Sequence, residues 1–215
     1  MTLESSKILG GLGAILLLVG LIPFAEPYVG AVALVGFILV LVGLHGLADY
    51  YKENGIFNNA LYGFITAIVG VVAAVIAVVY VVLDTSILKN LLEKIYPGWT
   101  YGDWSKLSGL TAHTSNITIS DVTPVLGALF AVLAILWIFL IISAFFNRRS
   151  LKMLSTKASV GLFSTAGLLL IIGAILAIVL IGLVLMWIAA LLMAIAFFQI
   201  KPQPEQPLAP AAPPR

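Results

Sequence analysis

The sequence predicts an all-α integral membrane protein of six transmembrane helices, with a short interfacial helix in its longest loop. Three observations predict it. Only 11 Lys and Arg and 9 Asp and Glu occur in 215 residues, and almost none falls inside the long apolar runs. Apolar residues make up 62% of the chain at a mean hydropathy of +1.17, against roughly 45–50% apolar in soluble domains. A water-soluble core of this size cannot hide so much apolar surface, so lipid must be the solvent for most of it.

The apolar runs are 8–24, 29–48, 61–83, 125–146 and an unbroken stretch from Val160 to Ile200. A run of about 20 residues matches a hydrocarbon core about 30 Å thick. Lys7 ahead of the first run resembles a signal peptide. No small-x-small cleavage site follows, because the run ends in Pro23-Phe24-Ala25-Glu26-Pro27, so a retained span is expected. The first two runs form a hairpin closed by Pro23–Tyr28, where helix cannot continue. The third ends at Asp84-Thr85-Ser86, and Pro124 suits the first turn of the fourth. The 41 residues from 160 to 200 would reach about 62 Å as one helix. They are read as two crossings, 160–178 and 182–200, with a tight lipid-buried turn near Ile178–Gly182. Residues 1–200 then form one membrane domain. The tail 201–215 is extended or disordered, with Pro204, Pro207, Pro210 and Pro213 three apart on one face of a polyproline II helix.

Charge sets the expected orientation. Six crossings put 1–7, 49–60, 147–159 and the tail on one side, with eight of the eleven basic residues and a net +4. The loop side carries net −2. The positive-inside rule therefore places both termini in the cytoplasm of a cell-membrane protein.

Chemistry is sparse. The chain has no Cys, which removes disulfides, thiolate metal sites, iron–sulfur clusters and thiol nucleophiles together. No basic stripe interleaved with aromatics points to nucleic acid. Thr66, Ser143, Ser164 and Thr165 are the polar residues within the spans; such hydroxyls usually bond the preceding helical turn, and none could relay protons. His45 and Asp49 share a helix face at a span end, readable as a proton switch or a boundary pair. The other histidine, His113, belongs to the opposite side, which disfavours a metal or bis-histidine haem. No catalytic residue, metal site or cofactor is expected, and the chain is read as not an enzyme.

The loop 84–124 holds the expected interfacial helix, with Ile87, Leu88, Leu91, Leu92 and Ile95 on one face. An aromatic cluster follows, Tyr96, Trp99, Tyr101 and Trp104, as at a membrane interface; partner or quinone binding is the alternative. Asn116-Ile117-Thr118 is an N-glycosylation acceptor on the expected outer side. Arg148, Arg149 and Lys152 either grip anionic lipid headgroups or simply orient the spans. Gly13/Gly20, Gly36/Gly43 and Gly63/Gly70 are seven apart, nearly two turns, so each pair lies on one helix face. Such faces let backbones approach closely, here in a three-helix unit or an oligomer seam. Residues 8–48 and 160–200 are equally long hairpins, and GAILLLVG can be laid on AGLLLIIG. Composition alone also gives such self-similarity.

The stretch Gly46–Gly63, GLADYYKENGIFNNALYG, resembles the signature of an archaeal and bacterial membrane-protein family known as a domain of unknown function, DUF996. LESSKILGGLGAILL and GLFSTAGLLLIIGAIL are similar to it too. The resemblance implies a multi-span membrane protein of archaeal type and supplies no activity or site residues. The expected role is a structural or oligomeric component, or an accessory subunit, held to the bilayer and to itself or other membrane subunits. The alternative is a carrier or channel for a small apolar solute or lipid.

Overall fold

The computed structural model describes residues 1–20, 29–83, 87–100 and 102–202. The hairpin connection 23–28, the cap at 84–86, Tyr101 and Pro204, Pro207, Pro210 and Pro213 of the tail lie outside the described residues. Seven α-helices run through the described residues: α1 (Leu3–Gly20), α2 (Val29–Tyr51), α3 (Asn54–Leu83), α4 (Ile87–Ile95), α5 (Ile119–Ala158), α6 (Gly161–Leu176) and α7 (Ile181–Gln199). All but α4 are long and apolar enough to cross a bilayer. The chain is a multi-pass, all-α membrane protein.

The six long helices follow one another round a closed ring. α1 packs on α2, α2 on α3, α3 on α5, α5 on α6, α6 on α7, and α7 back on α1, while α4 lies against α3 and α5. Two turns at the end that holds both described termini share one device. Lys52 (φ 51°) and Ser159 (φ 56°) adopt left-handed backbone. Each lets a following N–H reach back to the finished helix, Glu53 to the Ala48 carbonyl at 2.9 Å and Val160 to Ser155 at 3.2 Å. These bonds satisfy carbonyls that a helix end leaves unpaired. The same end holds the core. Phe163 and Phe197 meet edge to face at 5.1 Å, and Leu47, Ile56, Leu154 and Ile200 around them are fully buried.

The turn expected near Ile178–Gly182 is a 3₁₀ segment, Ala177–Val179, followed by Leu180 at φ 62°. A Cβ at Gly182 would overlap the Gly173 carbonyl, and one at Gly173 would stand 2.8 Å from the Gly182 carbonyl oxygen, so both glycines let α6 and α7 meet backbone to backbone beside the turn.

The fourth span differs from expectation. Pro124 does not open it, because α5 begins at Ile119. The Asp121 carboxylate accepts from the Thr118 N–H at 2.9 Å and hydroxyl at 2.6 Å, which fixes a cap ahead of the proline. The helix also runs on past Phe146, since Ser150, Leu151 and Leu154 are buried against the ring. At 40 residues it is about 60 Å long, twice a bilayer core.

The glycine pairs do not bind three helices into one unit. A Cβ at Gly13 would stand 2.6 Å from the Gly36 carbonyl oxygen, at Gly36 2.7 Å from that of Gly13, at Gly43 2.6 Å from Gly10 N, and at Gly20 2.5 Å from Ala33 N. These four clamp α1 to α2, backbone on backbone. Gly63 and Gly70 instead face Asn147 and Phe139 of α5. α2 turns aromatic side chains, not glycines, toward α3: Phe37 stacks on Phe64 at 5.0 Å, and His45 lies 4.7 Å from Phe57.

Candidate functional site

The ring encloses a chamber of about 190 Å³ to which all six long helices contribute. Leu17, Phe37, Ala67, Leu140, Leu170 and Met186 line its half-buried side, away from the termini, whereas Leu44, Ala144, Leu151 and Met193 close the other side and are buried. Ser143 and Asn147 are the polar side chains on its wall. Both spend their donors on the protein. Ser143 Oγ donates to the Gly63 carbonyl at 2.8 Å, and Asn147 Nδ2 to the Ser143 carbonyl at 3.0 Å. The glycine at position 63 admits this crossing, since a side chain there would collide with Asn147. Ser150, one turn on, donates to the Ile56 carbonyl at 2.6 Å. Ser143 therefore joins α5 to α3 rather than bonding its own helix, while Thr66 does bond back, to Tyr62 at 2.7 Å.

An apolar cavity of roughly 150 Å³ stays dry and accepts a guest the size of benzene. A water would need two to four polar partners, and this wall has little left to offer. Drug-sized sites are larger, about 300–1,000 Å³. The chamber suits a small apolar molecule or a few methylenes of a longer one.

A second concavity, about 720 Å³, lies outside the ring along α5. Arg148, Arg149, Lys152 and Thr156 line it, with Phe145, Met153 and Asn59 of α3. The Arg149 guanidinium sits 5.6 Å above the Phe145 ring. The structure thus gathers the three cations singled out in the sequence, and keeps them apart from the chamber.

The other marked residues stay separate. His45 Nε2 and Asp49 Oδ2 are 3.8 Å apart, both side chains about half exposed. His113 Nδ1 lies 3.0 Å from the Thr111 carbonyl in the long loop. Among the described residues no three His, Asp or Glu side chains come together. Asn116 is exposed in a turn. In the loop, Trp99 is buried and donates its indole N–H to the Asp103 carbonyl at 2.7 Å. Hydrogen bonds from Lys106 and Ser105 hold the Asp103 carboxyl below its ordinary pKa, and Asp103 raises that of Lys106.

Sequence reasoning missed two indoles. Trp137 donates to the Ala174 carbonyl at 3.0 Å and Trp187 to the Leu18 carbonyl at 3.0 Å, each at a helix end within the apolar region. The signal was a Trp, with its obligatory donor, deep in an apolar run.

The family described as protein of unknown function (DUF996) matches residues 32–191, from the second helix into the last. A protein of Methanocaldococcus jannaschii, named uncharacterized protein MJ1644, is similar at 28% identity over 200 residues, covering 93% of this chain and 94% of its own. No solved structure matches. With the greater part of the ring inside the matched region, the chain belongs to the DUF996 family.

Proposed function

We propose that this is a non-catalytic membrane protein whose ring holds a small apolar guest, an acyl-chain segment or an apolar solute, as a carrier or lipid-binding component. One observation carries the reading: a single apolar chamber lined by all six long helices. Apolar transit needs no charged path, and the few polar groups on the wall are committed to holding α5 against α3. The half-buried side gives a guest its way in from the bilayer. The test is mass spectrometry of what stays bound after gentle detergent extraction. A small apolar molecule or lipid should co-purify with wild type and be lost from Ala144→Phe and Ala190→Phe, which fill the chamber. Identical content in wild type and both variants overturns the reading.

The second reading is a structural component or accessory subunit, associating with its own copies or other membrane subunits. The apolar faces that favour it are Val71–Leu83 of α3 and Leu126–Leu133 of α5, largely exposed along their length. The six seven-spaced glycines do not serve it, being used within the chain. In either case the +4 and −2 charge balance supports cytoplasmic termini and a cell-membrane location.

A further inference from the structure

We propose that the groove along α5 binds the phosphate of an anionic phospholipid drawn from the surrounding leaflet. At about 100° per residue, Leu140, Ser143, Asn147 and Leu151 point into the chamber. Phe145, Arg149, Lys152 and Thr156 fall on the opposite face, toward the bilayer. Arg148 and Arg149 are adjacent, and Lys152 is one turn on, so three like charges crowd a single concavity. None has a carboxylate within ion-pair distance among the described residues, whereas Lys7, Lys89, Lys94, Lys106 and Lys157 each do. The neighbouring polar side chains offer no anion. Thr156 donates to the Lys152 carbonyl at 3.1 Å and Asn59 to that of Gly55 at 2.7 Å. A partner anion must come from outside.

The same face identifies the source. Below the cations, Phe145, Ile142 and Ile138 are exposed in line, running into the apolar stretch of α5. A headgroup phosphate between Arg148, Arg149 and Lys152 lays its acyl chains along these three side chains. Free phosphate would use the cations and leave the track bare.

The test uses the full chain in mixed micelles of phosphatidylglycerol and phosphatidylcholine, with retained lipid counted by native mass spectrometry. Phosphatidylglycerol should be enriched on the order of tenfold over its share, and the enrichment should vanish in Arg149→Gln/Lys152→Gln. Both of those side chains are exposed, so the fold is kept, as an unchanged melting curve would verify. Arg149→Lys should retain the preference, and Lys52→Gln should not alter it. Equal retention of the two lipids, or an unchanged preference in the double variant, overturns the proposal. Displacement of the lipid by millimolar inorganic phosphate would overturn it in favour of a soluble anion.

Discussion

The indole N–H of Trp137 on α5 reaches the Ala174 carbonyl of α6 at 3.0 Å and shares the Ile175 carbonyl at 3.2 Å. The Ala174 carbonyl already accepts from the Ala177 N–H at the end of α6, and the indole adds a second donor where the regular helical donors run out. In hydrocarbon no water replaces them. Trp137→Phe keeps the ring and removes the donor. It should lower stability by about 1 kcal/mol, within the range of hydrogen bonds between membrane helices, as read from a denaturant titration in detergent. An unchanged midpoint would show those carbonyls already satisfied.

Glycine substitutions should divide by what they face. Gly13→Ala drives a methyl to 2.6 Å from the Gly36 carbonyl, whereas Gly127 has nothing within 4 Å. Backbone cannot step aside as a flexible side chain can, so Gly13→Ala and Gly36→Ala should each cost about 1–3 kcal/mol. Gly127→Ala should be neutral or slightly stabilising. Thermal melts of the three variants make the comparison.

Acid should loosen the loop at Trp99. The Asp103 carboxyl has a folded pKa below its ordinary 3.8, chiefly through its hydrogen bond from Lys106. A depressed carboxylate contributes stability above its unfolded pKa and loses it as pH falls through the folded one. Trp99 fluorescence, in a Trp104→Phe/Trp137→Phe/Trp187→Phe background, should hold steady near pH 5 and shift to the red below about pH 4. Asp103→Asn should show the shifted spectrum already at neutral pH. A pH-independent spectrum would contradict the argument.

Topology is open to labelling, because the chain contains no cysteine. Ser155→Cys and Lys201→Cys should resist an impermeant thiol reagent in intact cells, and Ser115→Cys should react. The adjacent Asn116 should then carry a glycan in a host with N-glycosylation, visible as added mass. Reaction at Lys201→Cys would force an odd number of crossings.

The spans were legible because lipid imposes a length and a composition that single residues rarely override. Their partners were not. Nothing in the spacing of Gly63 and Gly70 told that they face α5 rather than α2, since a glycine face is the same whichever helix fills it. Pro124 misled because a local rule, proline in a first turn, yielded to a stronger local cap at Thr118 and Asp121. The chamber was invisible for a broader reason. Leu17, Phe37, Leu140 and Met186 belong to four helices and look like any other apolar residues until the ring brings them round one space.

Because α7 closes on α1, with Phe197 over Gly10 and Phe198 over Gly11, the sixth long helix completes the wall that the first begins. Without α7, Gly10 and Gly11 would lose their cover and the chamber would lack the wall that Met186, Ala190 and Met193 supply. The seating of α7 is thus what separates an open half-shell from a closed ring.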